Sequence, residues 1–183
     1  MGSIADQFKK LKKDSVRRSA SRSSAWLRNK MRGDGIDKKM MTNKPMLGKM
    51  YLFQYDPKHK ATLPYYDKNP LVIVIGHYSD GFLGLNLHYL PPKLRLLLLD
   101  KLEGFASGKM PMRKKFRVTY ELLKASARMK MFQPTLHRYL YSHKKTKFSL
   151  IPADEWEYVV MLPLAKFKGK SNQGVYSASR KMY

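Results

Sequence analysis

The chain has 183 residues, 43% hydrophobic and 12% aromatic, enough for one ordinary domain with its own core. Its 37 Lys and Arg against 13 Asp and Glu give a net charge of +24. A folded body this basic repels itself unless a polyanion lies nearby: nucleic acid first, an anionic protein surface in a large assembly second, a membrane surface third. The chain has no cysteine, which excludes disulfides and thiolate metal sites. No apolar run approaches the roughly 20 residues of a membrane helix, and no apolar stretch follows the basic N-terminus as it would in a secretory leader.

Residues 1–45 read as a basic arm, with 13 Lys and Arg against 4 Asp. Ile4, Phe8 and Leu11 share one face of a short helix. Ser23-Ser24 caps a second that runs from Ala25 to Met31 and ends at Gly33-Asp34-Gly35. The Arg/Ser-rich stretch between them has the composition of a segment that orders only on a partner. Two readings of the arm stand: a solvated tail, or a segment that binds phosphates or threads between subunits. Trp26 and Phe8 are the candidate docking residues. Arg17, Arg18, Arg22, Arg28, Lys30 and Arg32 are the candidate phosphate contacts.

Residues 46–163 read as a single α+β domain. Met50–Tyr55 alternates and predicts a strand, stopped by Asp56-Pro57. Leu71–Ile75 is a continuous apolar, β-branched run, the pattern of a strand covered on both faces. Ser79-Asp80-Gly81 predicts a tight turn into a third strand, Phe82–Tyr89. Gly76 and Gly84 inside these runs predict a bulge or a close backbone approach. Short, strongly bent strands suit a small antiparallel sheet of SH3-like half-barrel size, covered by three to four helices. The first helix follows Pro91-Pro92, with Leu94, Leu97, Leu98 and Leu102 inward. A basic crossing spans 105–115 with Arg113, Lys114 and Lys115. A helix is predicted over Thr119–Met131, and another from Pro134 with Leu136, Tyr139 and Leu140 inward. Phe148–Ile151 returns as a strand, and Pro152–Trp156 opens a last helix with acids in its first turn. Residues 164–183 carry Lys166, Lys168, Lys170, Arg180 and Lys181 without an acid and read as a basic C-terminal tail.

Little of this is catalytic. The five histidines form no HExxH, and there is no GxxxxGK, GxSxG or GxGxxG. His77 and His88 are the one conceivable metal pair, across the hairpin; His88 reads more simply as a packed residue beside Tyr89. A nuclease needs clustered acids, whereas Asp56, Asp67, Asp80, Asp100 and Glu103 are scattered, mostly at turns. Neither a catalytic residue, nor a metal site, nor a cofactor is expected. Basic residues interleaved with aromatics are the stronger signal. Lys49, Lys58 and Lys60 alternate with Tyr51, Phe53 and Tyr55, and Arg138-Tyr139-Leu140-Tyr141 leads into Lys144-Lys145. Such surfaces stack bases and hold phosphates, although strand aromatics more commonly fill a core.

The blocks Gly48-Lys49-Met50-Tyr51, Tyr55-Asp56-Pro57-Lys58, Leu63-Pro64-Tyr65-Tyr66-Asp67 and Pro70-Leu71-Val72 form one part of a larger pattern. Gly81-Phe82-Leu83-Gly84-Leu85-Asn86-Leu87-His88-Tyr89-Leu90-Pro91-Pro92 continues it, followed by Lys124-Ala125-Ser126-Ala127-Arg128 and Arg138-Tyr139-Leu140. Together they resemble virion proteins of contractile-tailed, T-even-like phages, and among these the DNA end protector family. The resemblance implies a non-enzymatic structural protein of the virion that caps the end of the packaged genome at the head–tail junction. Its implied partners are double-stranded DNA and other phage structural proteins, with no membrane and no small-molecule substrate. A neck, baseplate or tail component of similar size, whose arms bind neighbouring subunits instead of DNA, is the alternative.

Overall fold

The structure, a computed structural model, describes residues 40–103 and 129–182, without the side chains of 100–103. The expected N-terminal helices, the basic crossing at 105–115 and residues 119–128 of the expected second helix lie outside the described residues.

Six strands form the main sheet: β1 (Met41–Thr42), β2 (Met50–Leu52), β4 (Leu71–His77), β5 (Gly81–Asn86), β6 (Leu136–Leu140) and β7 (Phe148–Ile151). Their order is β1-β7-β2-β4-β5-β6, and every neighbouring pair is antiparallel. A separate two-stranded ribbon pairs β3 (Tyr66–Asp67) with β8 (Phe167–Lys168). The helices are α1 (Pro92–Glu103), α2 (Trp156–Met161) and α3 (Asn172–Arg180), joined by short 3-10 turns. The fold is α+β as expected, with a sheet larger than the SH3-like half-barrel read from the sequence.

The centre behaves as its pattern requires. Leu71 to Ile75 is buried throughout, because β4 lies between β2 and β5 and has both faces covered. Strand alternation then sorts its side chains. Leu71, Ile73 and Ile75 join Met50, Leu52 and Leu85 on one face, beneath α1 and α2. Val72 and Val74 join Tyr51, Phe53, Phe82, Tyr139 and Phe148 on the other. The register slips between Val74 and Gly76, the bulge that Gly76 predicts. Gly84 packs against Val72 and the Ile73 carbonyl so closely that a methyl group there has no room.

The structure departs from the expectations in four places. Leu136–Leu140 is a strand, not a helix, because the segment finds the free edge of β5 and pairs with it from Gly81↔Leu140 to Leu85↔Leu136. Before it, Lys130–Thr135 is a 3-10 stretch holding Pro134, so no α-helix reaches Met131. On α1 Leu98 is buried and Leu94 packs partly against the core, as expected, but Arg95, Leu96 and Leu99 are buried with them and Leu97 is only half-buried. A run of four leucines leaves the helix rotation open, and the site for the Arg95 guanidinium settles it. The stretch from residue 164, expected as a tail, pairs through β8 with β3 and packs α3 onto the body. Val175 is fully buried, and the Ser179 hydroxyl donates to the Tyr89 carbonyl at 2.9 Å. Ser171 caps α3 by accepting from the Gly174 amide.

Candidate nucleic-acid interface

The β3–β8 ribbon brings the loop 56–65 and the residues around Lys166–Lys170 beside the β5–β6 edge. Between them lies a groove of about 660 Å³. One wall is Lys58, His59, Leu63, Pro64 and Tyr65. The other is Pro134, Leu136 and Arg138 from β6 and the turn before it. Tyr55, Tyr66, Tyr89, His137 and Tyr139 form the base, and Met182 stands at the rim. The Tyr89 and His137 rings lie 4.1 Å apart between centroids, and the Lys170 ammonium sits 4.9 Å from the centre of the Tyr65 ring.

A polar network under the groove fixes this floor. Asp67, on β3, is buried. Its Oδ2 accepts from His88 Nδ1–H at 2.7 Å and from Asn86 Nδ2 at 3.2 Å, and its Oδ1 accepts from the Asn69 amide at 3.0 Å. Asn86 Nδ2 also donates to the Tyr139 hydroxyl at 3.0 Å. Burial works to raise the Asp67 carboxyl, but His88 and these donors outweigh it and hold it below the ordinary carboxylate range. Burial pushes His88 down against the pull of Asp67. His88 gives Nδ1–H to the carboxylate, and its Nε2 is buried without a partner among the described residues, which favours the neutral imidazole. A buried N–H⁺ left unpaired there costs more. The compensating positive charge is Arg95. It is almost fully buried and donates to the carbonyls of Leu90 (2.7 Å), Val160 (2.9 Å) and His88 (3.4 Å) and to the Tyr176 hydroxyl (2.9 Å). It ties the segment ahead of α1 to α2 and α3.

A second, smaller hollow of about 300 Å³ adjoins the groove, and Tyr55 and Tyr66 line both. Its other residues include Lys68, Lys145 and Lys166. One carboxylate, Asp56, is present, and it already serves Lys60 at 2.9 Å with Lys145 at 3.7 Å. Three exposed ammonium groups facing one shared carboxylate make a basin for an anion.

Of the basic residues singled out from the sequence, Lys145 and Lys166 come together here. Lys168 and Lys170 lie just beyond, on β8 and after it, and Lys144 turns away to donate to Asn43 Oδ1 at 3.2 Å. Arg17, Arg18, Arg22, Arg28, Lys30, Arg32, Arg113, Lys114, Lys115, Phe8 and Trp26 lie outside the described residues. The sequence reading missed Lys68 and the groove aromatics. Their signal was present in Leu63-Pro64-Tyr65-Tyr66, an aromatic pair after a proline, of which Tyr65 is half-buried and Tyr66 buried. The metal pair does not form: His77 Nδ1 faces the Tyr141 hydroxyl at 3.1 Å, while His88 is committed to Asp67. The acids are dispersed, Asp56 to Lys60, Asp67 to His88 and Asp80 to Arg138. Among the described residues no three His, Asp or Glu gather where they could hold a metal ion, and no helix is long and apolar enough to cross a membrane.

A family model described as the phage T4 terminal DNA protecting protein matches residues 1–183. The chain belongs to this family. The resemblance to T-even-like DNA end protectors therefore extends from the body through both basic ends. No curated protein and no solved structure matches. For a chain of this family, the described surface offers an aromatic groove with a lysine basin at its side.

Proposed function

We propose that this protein holds the ends of linear duplex DNA inside a phage particle, through phosphate contacts that do not read sequence, and does no chemistry on the DNA. Its place is the head–tail junction, where a cap on the last phosphates denies an exonuclease its starting point. The observation that carries this reading is the convergence of Lys68, Lys145 and Lys166 beside the aromatic groove, in a +24 chain of the terminal DNA protecting family. Lys168 and Lys170 extend the basin, and the arginines and lysines of residues 17–32 and 113–115 add further phosphate contacts. Other phage structural proteins hold the complex in the particle.

Phosphate binding of this kind releases counterions. With about six phosphates neutralised, log affinity for a linear duplex falls with log salt at a slope of about −5. Fluorescence anisotropy across a salt series measures it, together with protection of a labelled duplex from a processive exonuclease. The Lys145→Glu/Lys166→Glu variant lowers both the slope and the protection. A flat salt series with no protection overturns the reading and leaves the neck or baseplate component, with arms seated on neighbouring subunits.

A further inference from the structure

The lysine basin accounts for phosphates, but it gives no role to the larger groove at its side. That groove is unusual for a surface. Leu63, Leu136 and Met182, which are 42%, 38% and 55% exposed, all line it. Apolar side chains left open around an aromatic floor mark a binding site in a soluble domain. The volume of about 660 Å³ falls among those that enclose a small organic molecule, about 300–1,000 Å³.

We infer that this groove receives an unpaired terminal nucleotide of the DNA, with its base against the Tyr65, Tyr89 and His137 rings and its phosphate toward Lys68, Lys145 and Lys166. This rests on the DNA-end reading above and sharpens it. Two features point to a nucleotide over any other occupant. The groove and the basin share two lining residues, Tyr55 and Tyr66, so an apolar, stacking site and an anion site adjoin, in the same order as the base and phosphate of one nucleotide. The rim is also cationic, with Lys58 in the wall and Lys170 over the Tyr65 ring. An apolar peptide would leave these charges unanswered. Paired bases cannot enter a concave slot while joined to their partners. A frayed or overhanging base can, and stacking on aromatic rings tolerates any sequence because every base has a π-face. The groove thus gives a protein that ignores sequence a means to tell an end from the interior of a duplex.

The test uses the full chain and duplexes closed at one end by a hairpin, so that each offers a single terminus. The open terminus is blunt, or carries a three-thymidine overhang of either polarity, or the same overhang made abasic. Abasic overhangs keep every phosphate and lose every base. The expected result is about tenfold tighter binding of the thymidine overhang, in at least one polarity, than of its abasic counterpart, which binds like the blunt end. Leu136→Glu, at a part-exposed position of the groove wall, abolishes the preference, read as the ratio of thymidine-overhang to abasic-overhang affinity so that any general repulsion of the DNA cancels. Equal affinity for thymidine and abasic overhangs overturns the inference, as does a preference that survives Leu136→Glu. Both outcomes leave phosphate binding intact. Absence of binding to every probe removes the DNA-end reading itself.

Discussion

The two faces of the main sheet are built from different chemistry. One is aliphatic: Met50, Leu52, Leu71, Ile73, Ile75 and Leu85 meet the leucines of α1 and the valines of α2. The other is aromatic: Tyr51, Phe53, Phe82, Tyr139 and Phe148 pack largely edge to face, with Phe53 and Phe148 centroids 4.8 Å apart. An aliphatic face needs no polar partner and can be sealed by any helix of the right shape. A tyrosine brings a hydroxyl that must be satisfied, so each one ties down a neighbouring loop or strand end. The Tyr51 hydroxyl accepts from the Met46 amide at 3.0 Å, Tyr55 accepts from Leu140 at 3.1 Å, and Tyr139 accepts from Asn86 at 3.0 Å. The aliphatic face therefore carries stability. The aromatic face carries position, and its tyrosines at 55 and 139 continue into the groove.

The sharpest break in that division is Arg95, a charge on the helix side. Arg95→Met keeps the volume and removes the donors, leaving the Leu90 and Val160 carbonyls buried without partners and Asp67 without its positive neighbour. The expected loss is about 3 kcal/mol or more, read from urea midpoints. A loss below about 1 kcal/mol would mean that the guanidinium is a passenger in a site that packing already holds.

Acid should weaken the groove side before the aliphatic side. Burial pushes His137 down to about 4, despite its hydrogen bond to the Pro134 carbonyl, and it also lowers His88. Both are neutral in the folded chain and take up a proton in the unfolded chain below about 6.5. Between these values the unfolded state binds more protons, so stability is complete above about pH 6.5 and declines as the pH falls toward 4. Asp67, depressed in the fold, adds a further loss only below the ordinary carboxylate range. Water reaches part of the His137 ring, so its share is about 1–2 kcal/mol. Urea melts at pH 7 and pH 5 measure it, and His137→Phe should flatten the difference. A midpoint that rises on acidification contradicts the neutral assignment.

Tyr55→Phe is a smaller cut on the aromatic side. It removes one hydroxyl and leaves the Leu140 amide without its acceptor, an expected loss of about 1 kcal/mol. Because that bond fixes the end of β6 against the groove floor, the overhang preference should suffer more than blunt-end affinity. Equal loss on both probes would separate the aromatic face from the site.

The contrast between faces also explains which parts were legible in the sequence. β4 and its hairpin were plain, because a β-branched run before Ser-Asp-Gly admits few other structures. β6 was not. Pro134 followed by leucines looks like a helix start, and the period-2 signal carried by His137, Tyr139 and Tyr141 was read as basic–aromatic interleaving. Leu136, which looks like a core residue, instead faces the groove. The ribbon from β3 to β8 joins residues about 100 positions apart in sequence, and no local pattern announces such a pairing. A buried Arg95 is equally silent, since its environment comes from Val160 and Tyr176. The lysines were legible as charge, but the hollow that joins Lys68, Lys145 and Lys166 exists only once the ribbon forms.

The smallest effect tests whether the groove's charge is tuned or incidental. Asp80 and Arg138 both line it, paired at 2.6 Å with each side chain about half exposed, and the guanidinium also lies over the Tyr78 ring at 4.7 Å. The Arg138 hydrogen bond holds the Asp80 carboxyl below its usual range, but a pair this open to water contributes little to folding. Asp80→Asn should leave the urea midpoint where it is. On DNA it should act in the other direction from most substitutions, because it removes an anion from the rim and frees Arg138 for a phosphate. The expected gain is about twofold in affinity, with a salt slope steeper by at most about 0.9, the increment of one phosphate. A drop in affinity would assign Asp80 the opposite role. It would then hold the guanidinium at the angle the DNA needs, and the rim would be a built contact instead of a balance of charge.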